Sequence, residues 1–127
     1  MTVKKRFIGK TNVEVSELGF GTAPLGGWPV EVSDKNAQSS LQKAWDLGIR
    51  YFDTAPLYGS GMSEIRLGNF LKNQNRNEFT ISTKVGRLIV DTTKSKASEK
   101  FIGSPIDKDS EFNFSYDATM KSLEDSL

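Results

Sequence analysis

The chain has 127 residues, enough for one small domain or a part of a larger one. Its 36% hydrophobic and 26% charged residues make an ordinary globular mixture, and a formal net charge of +1 leaves no electrostatic footprint for nucleic acid or an anionic membrane. Without cysteine or histidine it excludes disulfides, thiolate nucleophiles, the usual zinc sites and a Ser-His-Asp triad, so acid–base chemistry falls to carboxylates, lysine or tyrosine.

The opening MTVKKRFIGKT has basic residues but no long apolar core, so it does not read as a secretion signal. No stretch reaches the roughly 20 apolar residues of a membrane helix. A soluble cytoplasmic protein is the expectation. RFIGKT and VEVSEL alternate in character around turn residues 9–12, which predicts two short strands between residues 5 and 18. LGFGTAPLGG follows as a short strand ending in a Gly/Pro loop. Ser33 or Asp34 caps the next helix, which stops at Leu47 before Gly48 and carries Ala37, Leu41, Ala44 and Trp45 on one face.

Residues 49–53 form the next strand. Ser63 is expected as the N-cap of a second helix, with Glu64 in its first turn and Leu67, Phe70 and Leu71 as its apolar face. That helix fades at KNQNRNE. Residues 79–85, FTISTKV, alternate strictly and read as a strand. Residues 86–113 are polar with no clear period, and TTKSKASEK within them reads as a solvated loop. Ser115 caps a last helix with Tyr116, Met120, Leu123 and Leu127 at helical spacing.

A hairpin followed by three strand–helix units predicts an α/β fold with a parallel sheet, either open and doubly wound or closed as a barrel. The last helix reaches Leu127 without a C-cap glycine or following strand, and three parallel strands leave open edges. A full barrel takes eight units and about 250 residues. The expectation is the N-terminal part of a longer protein, or a truncated product.

In both parallel architectures, functional groups gather at the carboxyl ends of the strands. Asp53 and Lys84 fall at or near two such ends, and Tyr58 lies in the loop after the first of them. The three make chemical sense together. An ammonium favours a phenolate, a carboxylate pairs the ammonium, and the phenol then serves as a proton relay. Each residue also has a bland alternative: Asp53 as a loop hydrogen-bonder, Lys84 as a solvated rim charge, Tyr58 as loop packing. GFGTAP and GSGMSE both begin G-x-G, but neither has the third glycine of the dinucleotide fingerprint, and no P-loop motif is present. Trp28, on the same rim, either lines an apolar substrate pocket or packs locally, and Trp45 reads as core.

GIRYFDTAPLYGSGMSE closely resembles the aldo-keto reductase motif: an apolar strand, Asp-Thr-Ala, Tyr-Gly, then a Ser-Glu helix start. FTISTKVGR resembles the strand that carries that family's catalytic lysine, LGFGTAPLGG its first barrel strand, and the opening hairpin the plug of the barrel's bottom. The likeness covers nearly the whole chain outside about residues 88–111. It implies the N-terminal part of a (β/α)8 TIM barrel with a hairpin and about three βα units.

The resemblance also implies reversible hydride transfer between NAD or NADP and a small carbonyl or alcohol substrate. Tyr58 would be the general acid/base, Lys84 the cation that favours its phenolate, and Asp53 the residue that holds Lys84 near the nicotinamide ribose. The backbone at Gly21, Thr22 and Ala23 would approach the nicotinamide, and Trp28 and Tyr58 would line the substrate pocket. The family's fourth catalytic residue, a histidine on the next strand, has no counterpart here, which implies no measurable activity and poor solubility for these residues alone. Within the family, LGFGTAPLGG and FNFSYDATMKSLEDSL look most like the branch containing pyridoxal 4-dehydrogenase and D-threo-aldose (L-fucose) 1-dehydrogenase, which points to an aldose or pyridoxal. The alternatives are a non-catalytic binding or regulatory subunit, as channel β-subunits use this barrel, and an inactive truncated product.

Overall fold

The computed structural model describes residues 3–91, 101–102, 105 and 107–127. The solvated loop expected at TTKSKASEK, residues 92–100, lies outside these. Strands β1 (Lys5–Phe7) and β2 (Glu14–Ser16) pair antiparallel, as the alternation predicts. Their cross-strand ion pairs are Arg6–Glu17 and Lys5–Glu14. The hairpin is tied to the amino ends of the main sheet. Thr80 Oγ1 donates to the Glu14 carbonyl at 2.7 Å, and the Arg50 N–H donates to Ser16 Oγ at 3.1 Å.

Strands β3 (Phe20–Gly21), β4 (Tyr51–Asp53) and β5 (Thr80–Ser82) form a parallel sheet in the order β3-β4-β5. Phe20 and Gly21 lie opposite Phe52 and Asp53, and Phe52 and Asp53 lie opposite Ile81 and Ser82. Each strand adds beside its predecessor, as along a barrel wall. The expected seven-residue strand at 79–85 is shortened to three: Phe79 ends the preceding 3-10 turn, and residues 83–85 lie past the last ladder pair, Asp53 with Ser82.

Helix α1 (Asp34–Asp46) starts where Ser33 Oγ accepts the Asn36 N–H at 3.2 Å. It ends at Gly48, which takes φ +91, the left-handed conformation glycine adopts without a Cβ penalty. Helix α2 (Met62–Leu71) packs beside it. Leu41, Phe52, Leu67, Phe70 and Leu71 build the core between the helices and the sheet. Trp45 is half-buried rather than central. Its ring packs against Phe52, Phe70 and Phe79, and the Arg50 guanidinium covers it at 3.7 Å.

Three expectations change. The N-cap of α2 is Gly61, not Ser63. Ser63 sits fully buried in the first turn, where its hydroxyl donates to the Thr22 carbonyl at 2.8 Å. A good acceptor on a neighbouring strand draws it away from the cap. The segment read as aperiodic, 86–113, contains a hairpin of β6 (Arg87–Asp91) and β7 (Lys108–Phe112). Its pairing rests on long-range contacts: an Asp91–Lys108 ion pair and the Arg87 side chain laid over Phe112. Third, helix α3 (Tyr116–Ser126) begins at Ser115 as expected but buries Ala118 and Ser122, leaving Tyr116, Met120, Leu123 and Leu127 exposed. The small residues face the hairpin because Ser122 Oγ donates to the Arg87 carbonyl at 3.2 Å.

The loop after β3, with its 3-10 turn Ala23–Gly26, meets the loop after β4 backbone to backbone. A Cβ on Gly26 would lie 2.5 Å from the Tyr58 carbonyl carbon, and one on Gly59 (φ +67) 2.6 Å from the Gly26 carbonyl oxygen. A side chain at either position forces the loops apart. Gly26→Ala is expected to cost about 1–3 kcal/mol by overpacking. Gly68→Ala, in exposed helix with nothing within 4 Å of the new methyl, is expected to stabilise by about 0.5–1 kcal/mol. Urea unfolding of the two variants checks both signs.

Candidate active site

Alternation along β4 sends Phe52 into the helix-side core and Tyr51 and Asp53 to the opposite face. There a short polar chain forms across the sheet. The Tyr51 hydroxyl lies 3.0 Å from Ser82 Oγ, and Ser82 Oγ donates to Asp53 Oδ1 at 2.6 Å. Lys84, two residues past β5, donates to Asp53 Oδ2 at 2.7 Å and to the Thr54 carbonyl at 2.9 Å. Both Asp53 oxygens are therefore bound, and the ammonium is fixed by two acceptors.

Tyr58 sits in the loop that joins β4 to α2. Tight backbone turns shape that loop: the Tyr58 N–H donates to the Ala55 carbonyl and the Gly61 N–H to the Pro56 carbonyl. Gly59, Ser60 and Gly61 all take positive φ. Together with the Gly26 contact, this fixes the Tyr58 ring, whose centroid lies 5.0 Å from Lys84 Nζ. On another side of the ring lies buried Phe101, 5.9 Å away between centroids. The structure thus brings Asp53, Tyr58 and Lys84 to one mouth of the sheet.

Charge balance in the cluster is set by opposing effects. Burial alone pushes the Asp53 carboxyl up, but hydrogen bonds from Lys84 and Ser82 and the Lys84 charge outweigh it and hold it below the ordinary carboxylate value. Burial alone pushes the Lys84 ammonium down, but hydrogen bonding and charge from Asp53 and Tyr58 outweigh it and hold it above the ordinary lysine value.

The other expected residues divide. Gly21 lies opposite Asp53 in the sheet, and a Cβ built on it would meet nothing within 4 Å, so its backbone faces open space. Ala23 is half-buried in the following turn. Thr22 is fully buried. Its N–H and Oγ1 both donate to the Asp53 carbonyl at 2.9 Å, and its own carbonyl accepts from Ser63 and Leu25. Thr22 braces the end of β4. Trp28 is 50% exposed. It is not among the described residues that line the 250 Å³ cavity beside Tyr58 and Lys84; those include Pro56, Val85, Arg87, Phe112 and Phe114.

Sequence reasoning missed Ser82, Phe101, Phe112 and Phe114. The FTIS alternation carried the signal for Ser82, since it places residue 82 on the same face as the residue paired with Tyr51. The aromatic pair in EFNF was also visible, but its placement depends on the β6–β7 pairing.

Residues 17–127 match the aldo/keto reductase family model. The chain is 42% identical over 135 aligned residues to pyridoxal 4-dehydrogenase of Microbacterium luteolum, covering 97% of this chain and 38% of that protein. It is 52% identical over 75 residues to D-threo-aldose 1-dehydrogenase of a Pseudomonas species, covering 59% of this chain and 23% of that protein. Among solved structures, the aldo-keto reductase of Bacillus halodurans in its holo form superposes with a TM-score of 0.72 at 30% identity, covering 98% of this chain and 35% of that one. The chain thus spans less than two fifths of the length of these relatives, and its hairpin and three βα units are part of a (β/α)8 barrel. This chain belongs to the aldo/keto reductase family.

Proposed function

We propose that these residues form part of an oxidoreductase site that interconverts a small alcohol and its carbonyl, with Tyr58 as the proton donor and acceptor. The observation that carries the reading is the fixed Lys84 ammonium, bound to Asp53 and Thr54 and set 5.0 Å from the Tyr58 ring. When bound, a nicotinamide cofactor, NAD or NADP, supplies or takes up the hydride. The residues present fit such a group. Gly21 presents open backbone beside Asp53, and the donors and acceptors at that mouth suit ribose hydroxyls.

In the reducing direction, the Tyr58 hydroxyl hydrogen-bonds the substrate carbonyl oxygen and gives up its proton as hydride reaches the carbonyl carbon. The phenolate left behind is stabilised by the ammonium of Lys84. Asp53 holds that ammonium in place and neutralises it, so the pair does not carry a lone charge into the mouth. In the oxidising direction, the phenolate removes the alcohol proton. The names of the matched relatives make an aldose or pyridoxal the first substrates to test.

In a chain that turns over, Tyr58→Phe is expected to lower turnover about 100-fold or more, the usual weight of a positioned acid–base group, with cofactor binding nearly unchanged. Equal loss of both, in steady-state kinetics and cofactor titration, contradicts the relay. Lys84→Met is expected to move the pH profile of turnover to higher pH; an unmoved profile contradicts the role given to the cation.

The ion pair also makes stability depend on pH in a set direction. The lowered Asp53 contributes above the ordinary carboxylate range near pH 4 and loses its effect as pH falls through its folded value. The raised Lys84 contributes fully below about pH 10 and loses its effect as pH rises through its folded value. The Lys84 and Asp53 side chains are 47% and 39% exposed, so solvent screening keeps the pair modest. Asp53→Asn is expected to cost no more than about 1 kcal/mol between those limits, and the gap should close in acid. Denaturant melts of both proteins across pH check this; a gap that persists unchanged into acid contradicts it.

A further inference from the structure

Register sets Ser82 directly beside Asp53, and strand alternation turns both side chains, with that of Tyr51, to the same face of the sheet. The terminal torsion of an aspartate is broad, so the direction of its two oxygens is set by what they bind rather than by a rotamer well. Lys84 holds Oδ2 at 2.7 Å, and Ser82 holds Oδ1 at 2.6 Å from the neighbouring strand. The carboxylate is thus fixed at both ends.

Proton count gives the chain of hydroxyls a direction. Asp53 is ionised at neutral pH and a carboxylate only accepts, so the single hydroxyl proton of Ser82 goes to Oδ1. The 3.0 Å contact between Tyr51 and Ser82 then has Tyr51 as its donor. Each donation polarises the next, which strengthens the bond that reaches the carboxylate. The Tyr51 ring is itself placed by the backbone just before β3, where a Cβ on Gly19 would lie 2.8 Å from its Cδ1. Among the described residues, the titratable groups that act on Asp53 and Lys84 are each other and the Tyr58 phenol. Thr83, between Ser82 and Lys84, donates instead to Glu64 Oε1 of α2 at 2.6 Å.

We infer that Ser82 is a positioning residue: with Tyr51 donating to it, its hydroxyl fixes the orientation of the Asp53 carboxylate in which Oδ2 captures Lys84. That this orientation matters to turnover rests on the function proposed above; the fixing itself does not. The Asp53 side chain is 39% exposed, so water takes the place of a lost hydroxyl as a partner for Oδ1. Water does not fix the direction of that oxygen. The expected defect is therefore in the placement of Lys84 rather than in the stability of the fold.

The test is an NMR titration of the Asp53 carboxyl and the Lys84 ammonium in the native chain and in four variants. Ser82→Ala is expected to raise the Asp53 midpoint and lower that of Lys84, while Ser82→Thr, which keeps the hydroxyl, stays with the native chain. Tyr51→Phe, which keeps the ring and the strand, is expected to move both midpoints the same way by less. Thr83→Val removes an equally short bond one residue from Lys84 and is expected to move neither. In a chain that turns over, Ser82→Ala is expected to lower kcat about two- to tenfold, the weight of one net hydrogen bond, with KM nearly unchanged. Midpoints unmoved in Ser82→Ala, or moved as far in Thr83→Val, overturn the role of Ser82. Shifted midpoints in a chain whose turnover survives Tyr58→Phe keep that role and count against the relay. Turnover lost in Tyr58→Phe with midpoints unmoved in Ser82→Ala does the reverse.

Discussion

The Lys84 ammonium, caught between the Asp53 carboxylate and the Thr54 carbonyl, is the interaction around which the rest of the structure is arranged. Its contribution to stability is modest, because both charged side chains keep much of their contact with water. Its contribution to geometry is large. It joins the ends of two neighbouring parallel strands and puts a positive charge under the Tyr58 ring. A half-exposed ion pair is weak as a staple and effective as a positioner, since two acceptors fix the cation with neither charge stranded in an apolar interior.

The scaffold beneath works mainly through backbone. Thr22, at the end of the first parallel strand, donates twice to the Asp53 carbonyl, and Ser63 at the start of α2 donates back to Thr22. Gly26 and Gly59 let the two loops touch without side chains between them. Arg66, almost fully buried, donates to the Leu25 carbonyl and pairs with Asp34, so both helices hold the first loop against the second. The path from helix core to Tyr58 is a run of close backbone contacts, which suits a group that must be placed to within fractions of an ångström.

Much of this was legible in the sequence because it is local. Ser33 and Ser115 cap their helices by reaching the backbone three residues on. Gly48 ends α1 through its own conformation, and the run ending at Asp53 alternates with the period of a strand. The candidate triad was readable because parallel strands bring their carboxyl ends to one side. What stayed hidden depends on partners far along the chain. The β6–β7 hairpin is held by pairs separated by 17 to 25 residues in register, and KDSEF has no strand pattern of its own. Ser63 has the local features of a cap, but Thr22, 41 residues away, offers a better acceptor. The apolar spacing on α3 predicts which residues share a face, not that small Ala118 and Ser122 would be the ones facing the hairpin.

The most direct measurement is an NMR titration of the lysine side-chain ammonium groups in the native chain and in Asp53→Asn. Lys84 is expected to titrate above the ordinary lysine value, and to fall back toward it when the carboxylate is replaced. Lys84 titrating at the ordinary lysine value in both proteins would mean that the cation is not held, and the placement of Tyr58 beside a fixed charge would fail with it.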